Sequence, residues 1–126
     1  MRSQSHTDPA AQTVYKVVAA SDWKRACKAG FFTGSVDDVR DGFIHLSTAG
    51  QLSGTLARHF KNQCELLLIA FDAAALGEAL RWELSRDGAL FPHLYAPLPT
   101  ALAICTKPIA PGADGAGFPD LEQPQC

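Results

Sequence analysis

The stretch Leu66-Leu-Leu-Ile-Ala-Phe71, closed off by Glu65 and Asp72, constrains this chain more than any other. Six apolar residues in a row are far too few to span a bilayer and read best as a strand. A strand of this kind carries apolar side chains on both faces, so both faces must be covered. The fold therefore needs a sheet with material packed on each side.

The rest of the chain supplies that cover. Tyr15 to Ala19 is β-branched and aromatic, which predicts a strand. Ser21 is placed to cap a short helix over Asp22 to Ala29, with Trp23, Ala26 and Cys27 facing inward and Gly30 as its stop. Gly42 to Ser47 predicts a short strand. Thr48 and Gln51 have the spacing of a capping box, opening a second helix to about Lys61 with Leu52, Leu56 and Phe60 on one face. Leu80 to Ser85 alternates Leu80, Trp82 and Leu84 against Arg81, Glu83 and Ser85, the pattern of a half-buried strand. Pro92, Pro97 and Pro99 make Phe91 to Pro99 a stiff loop and exclude a helix or a central strand there. Ala101 to Thr106 is the last strand. Roughly five strands and two helices, both helices in the first half, favour an α+β fold over a doubly wound one.

A chain of 126 residues with 47% hydrophobic and 19% charged residues is that of one globular domain, able to bury about two-thirds of its unfolded surface unaided. The polar lead (1–13) and the Pro, Gly, Asp and Gln-rich tail (110–126) are expected to be flexible, leaving 14–109 as a single domain. A net charge of −2 argues against nucleic acid or an anionic membrane as partner and leaves a small-molecule nucleotide open. Cys27, Cys64, Cys105 and Cys126 form no C-x-x-C pair, so reduced thiols and no metal site are expected. The first residues lack the apolar core of a secretory signal, and a cytoplasmic location is expected. The oligomeric state is not legible.

Chemistry concentrates in two places. In an extended Gly42–Ser47, alternation puts Phe43, His45 and Ser47 on one face and Ile44 and Leu46 on the other. With the latter pair in the core, a ring, an imidazole and a hydroxyl face a cleft beside a helix start whose free N–H groups favour an anion such as phosphate. That combination suits a nucleotide. The alternative is that His45 ties the strand to a loop and Ser47 assists the cap. In the second cluster, His93 and Tyr95 stand two apart on the proline-stiffened loop, either as ligand-binding groups or as loop anchors. Glu83 is a candidate to stabilise a cationic sugar-like transition state, or else one half of an exposed Arg81–Glu83 ladder.

Taken in order, Tyr15-Lys-Val, Asp22-Trp23, Gly34-Ser-Val-Asp-Asp38, Asp41-Gly-Phe-Ile-His-Leu-Ser-Thr48, Ala57-Arg-His-Phe60, Leu80-Arg-Trp-Glu83 and Phe91-Pro-His-Leu-Tyr-Ala-Pro-Leu98 resemble the bacterial domain-of-unknown-function family 952. More distantly, Ile44-His-Leu-Ser47 followed by a helix is similar to a strand of the RNA 2′-phosphotransferases in the ADP-ribosyltransferase superfamily. That resemblance implies small split sheets, antiparallel or mixed, with NAD held in the cleft between them. It implies His45 toward the nicotinamide ribose with Ser47 in support, and it places Lys16 where that superfamily carries a ribose-holding histidine. Arg40, Arg58 and Arg81 are the candidates for gripping phosphate. The implied activity is ADP-ribosyl or glycosyl transfer, with His45 and Glu83 catalytic and Phe43, Ser47, Lys16, His93 and Tyr95 binding ligand. A non-catalytic nucleotide or metabolite module and a structural protein are the alternatives. No cofactor is identified with certainty, and NAD is implied only as a substrate.

Overall fold

In the computed structural model, which describes residues 12–59, 65–85 and 88–109, the apolar run is the central strand of a three-stranded antiparallel sheet. Strand β1 (Thr13–Ala19) pairs with β4 (Leu66–Asp72) from Thr13↔Asp72 to Ala19↔Leu66, and β8 (Ala103–Ile109) flanks β4 on its other side. Both faces of β4 are buried, as expected. On one face Val14, Val18, Ile69 and Phe71 meet Trp23 and Ala26 of helix α1 (Ala20–Ala29), together with Ile44, Leu46 and Leu94. On the other, Tyr15, Val17, Leu66, Leu68 and Ala70 meet Leu52 and Leu56 of helix α3 (Leu52–His59). Burying a side chain as large as Phe71 contributes about 1.5–3 kcal/mol, which explains why the sheet is organised around this strand.

Helix α1 starts at Ala20, so Ser21 sits inside its first turn and Ala19 takes the cap position. Gly30 ends it in the left-handed region (φ 93°), its N–H donating to the Ala26 carbonyl at 2.8 Å. Cys27 is exposed and free, not inward-facing. Cys105 is buried and disulfide-bonded, which corrects the expectation of reduced thiols.

A second three-stranded antiparallel sheet has the order β3–β6–β5, from β3 (Ile44–His45), β5 (Leu80–Leu84) and β6 (Leu90–Leu94). Strand β6 is therefore central despite Pro92, against the expectation of a loop. In a strand, the N–H and C=O of one residue point to the same neighbour, and the Pro92 carbonyl accepts the Leu46 N–H at 3.0 Å on the β3 side. The missing donor thus faces β3 and leaves the β5–β6 ladder intact. It also accounts for the shortness of β3: pairing stops at His45↔His93, where a strand over 42–47 was expected. The chain then changes sheets, Ser47 forming a bridge with Tyr15 of β1. Leu84, expected inward, runs past the core and is 70% exposed.

Two further helices join the expected pair among the described residues, α2 (Val36–Asp41) and α4 (Ala73–Leu76). A two-stranded ribbon pairs β2 (Phe31–Phe32) with β7 (Leu98–Pro99). All pairings are antiparallel, so the architecture is α+β with several small antiparallel sheets and no parallel component among the described residues. No helix among them is long and apolar enough to cross a membrane. The expected flexible lead (apart from residues 12 and 13), the flexible tail and the helix end at Lys61 lie outside the described residues.

Candidate functional site

The second sheet, α2 and the start of α3 enclose a cleft of about 850 Å³, within the range of about 300–1,000 Å³ common for small-molecule sites. Phe43, His45, Ser47, Lys16 and His93 all line it. Alternation in the short β3 segment works as the sequence predicts: Ile44 and Leu46 are buried in the core, and Phe43 and His45 look the other way.

Four rings gather at this place. Phe43 stacks on His93 with centroids 4.1 Å apart and 25° between planes, and lies 4.5 Å from His45 and 5.2 Å from Tyr95. Glu83 reaches the cluster from the neighbouring strand without lining the cleft. Its Oε1 accepts from His93 Nδ1 and from the Tyr95 hydroxyl, each at 2.8 Å. These two bonds, the His93 one foremost, hold the Glu83 carboxyl below its usual range, and the Tyr95–Glu83 bond raises the Tyr95 phenol. Arg81 sits over the Tyr95 ring at 5.1 Å.

The organising residue beneath the cleft is Asp38, to which sequence reasoning assigns no role. It is 2% exposed and accepts from the Ser35 N–H (2.9 Å), the His45 N–H (3.1 Å), His45 Nδ1 (2.6 Å) and Lys16 Nζ (2.9 Å). Burial alone would raise its pKa, but the His45 bond and the Lys16 charge outweigh it and hold the carboxyl well below the usual range. Lys16 is pulled down by its own burial, against the attraction of Asp38, and also donates to the His45 carbonyl at 2.9 Å. His45 Nε2 meets Asp41 Oδ2 at 3.0 Å, so both ring nitrogens of His45 face carboxylates. Arg40 and then His45 lower the Asp41 carboxyl.

A sequence signal for Asp38 did exist. Ser35-x-x-Asp38 is a capping box: Ser35 Oγ accepts the Asp38 N–H at 3.2 Å while the Asp38 side chain takes the Ser35 N–H. Reading it would have predicted α2 and put Asp38 and Asp41 on it. On the α3 side the expected box at Thr48 is present, the Thr48 N–H donating to Gln51 Oε1 at 3.0 Å. Ser47 is buried with its hydroxyl 2.9 Å from Thr55 Oγ1. Gly50, Ser53, Gly54 and Arg58 complete that wall.

With this geometry in view, comparison with known proteins places the chain. Residues 17–105 match the family described as Protein of unknown function (DUF952). The crystal structure of protein CC0527 from Caulobacter crescentus is similar, at 42% identity over 85% of this chain and 94% of that one, with a TM-score of 0.80. The solution structure of the same protein matches at 44% identity over 82% and 89%, with a TM-score of 0.72. No curated protein matches the chain.

Proposed function

The chain belongs to the family described as Protein of unknown function (DUF952), and from its cleft we propose an ADP-ribosyltransferase-like activity on NAD or a related nucleotide. One observation carries this reading: Phe43, His45 and His93 converge in a single cleft, with Glu83 bonded to His93 and Tyr95 bonded in turn to Glu83.

Breaking the nicotinamide–ribose bond builds positive charge on the sugar, and a site for it needs negative charge held nearby. Asp41 and Glu83 are both kept ionised by their partners, Asp41 by Arg40 and His45 and Glu83 by His93 and Tyr95. Aromatic surface from Phe43 and Phe91 suits a planar base. On the other wall, the backbone is approachable at Gly50, in the turn that leads into α3, and at Gly54 within α3, and Arg58 adds positive charge suited to a diphosphate. In this reading His45 is a fixed post for the ribose, held by Asp38 and Asp41, and Ser47 supports the cleft floor through Thr55.

Incubation with NAD tests the proposal. We expect nicotinamide release and a rise in melting temperature; absence of both at millimolar NAD rejects it. A second reading, nucleotide binding without turnover, is favoured by Lys16, which stands in the first strand bonded to Asp38 and to the His45 carbonyl. It predicts the thermal shift alone.

A further inference from the structure

Resting on the transferase reading above, we infer that His93 is the proton acceptor of the cleft, that Glu83 fixes its tautomer, and that the group receiving ADP-ribose is a hydroxyl, of water or of an alcohol. The two cleft histidines differ in how their ring nitrogens are held. His45 has a carboxylate at each ring nitrogen, 2.6 Å to Asp38 and 3.0 Å to Asp41. It has no ring position left for a substrate proton. His93 is bonded at one nitrogen only.

An ionised carboxylate is an acceptor and nothing else, so the 2.8 Å bond to Glu83 requires the hydrogen of His93 to sit on Nδ1. In the neutral ring the lone pair is then on Nε2, across the ring from Glu83. Glu83 does not line the cleft and His93 does, and we take Nε2, on the ring edge away from Glu83, as the atom offered to a ligand. His93 is 6% exposed, and its Nε2 has no hydrogen-bond partner among the described residues. A buried, unpartnered acceptor on a cleft wall is costly unless a donor arrives with the ligand. Stacking on Phe43 at 4.1 Å and the second bond from Tyr95 to the same Glu83 oxygen lock the ring and its partner in place.

A base of this kind serves an acceptor that must shed a proton as it attacks. A phosphate or a carboxylate attacks already ionised and gains nothing from it; a hydroxyl does. The acceptor oxygen bonds to C1′ of the ribose while the C1′–N bond breaks, its electron pair leaving with the pyridinium as neutral nicotinamide. The acceptor proton passes to His93 Nε2, and the resulting imidazolium is stabilised by Glu83 before the proton goes to solvent. Glu83 is in this respect a positioning residue.

Two measurements on the full chain test the inference. Nitrogen NMR of the histidine rings is expected to show the neutral form of His93 carrying its proton on Nδ1, with Glu83→Gln shifting the ring toward the other tautomer. A neutral wild-type ring with its proton on Nε2 overturns the inference. In turnover, with NAD and either water or methanol as acceptor, His93→Gln is expected to keep the NAD thermal shift and lose about 100-fold or more in nicotinamide release. Added imidazole is expected to restore part of the activity of His93→Ala, which a purely structural role would not allow. An active wild type with an equally active His93→Gln overturns this inference and leaves the transferase reading standing; a wild type inert toward NAD overturns both.

Discussion

At the scale of single residues the molecule turns on Asp38, which ties Lys16, Ser35 and His45 into one buried unit under the cleft. Removing one member of a buried ion pair strands the other. Asp38→Ala is therefore expected to cost about 3–5 kcal/mol in denaturant unfolding. Adding Lys16→Met to that variant should recover part of the loss, because the uncompensated ammonium is gone. The same unit sets an acid limit. The folded pKa of Asp38 is depressed, so below the ordinary carboxylate range the unfolded chain binds a proton that the folded chain refuses. Stability is full above the unfolded value and is lost as pH falls through the folded one; Asp41 and Glu83 act with the same sign. The unfolding midpoint should fall as pH drops below about 4, and Asp38→Asn should flatten that slope.

At the scale of elements, α2 is a six-residue helix that brings Asp38 and Asp41 to His45. Too short to be stable by itself, it depends on its cap. Ser35→Ala is expected to cost about 1 kcal/mol and Ser35→Asp little, both read by thermal melts. Gly34 leads into this cap at φ 121°, and a Cβ there would lie 2.9 Å from Asp38 Cβ. Gly34→Ala should therefore displace α2 and destabilise by about 1–3 kcal/mol. The elements also show what the sequence discloses. Leu66 to Phe71, the Thr48–Gln51 box and the Phe43/His45 face were legible because hydrophobic pattern and capping are local properties. The central place of β6 was not, because a proline rules out a central strand only when its missing donor faces a long neighbour, and which side it faces is a tertiary fact. Phe43, His45, Ser47, His93 and Tyr95 were legible as chemistry. That Glu83 bonds His93, and that Asp38 holds His45, depends on strand pairing and helix placement that no local pattern encodes.

At the scale of the whole molecule, one sheet buried on both faces carries the stability, and a second, smaller sheet beside it forms part of the cleft wall. The two are joined where Tyr15 and Ser47 exchange backbone bonds of 2.8 and 2.9 Å. This division predicts unequal tolerance. Phe71→Ala, at a fully buried position, should lower stability by about 3–5 kcal/mol, whereas Leu84→Ala at the exposed end of β5 should change it by less than about 0.5 kcal/mol. In the proposed reading the cleft beside Phe43, His45 and His93 receives a nucleotide. Titration of the isotopically labelled protein with NAD, followed by backbone amide resonances, reads this out residue by residue. Phe43, His45, Ser47, Arg58 and His93 are expected to shift together and saturably while Ile104 on β8 stays still. No movement at millimolar NAD, or movement centred away from the cleft, rules out nucleotide binding there.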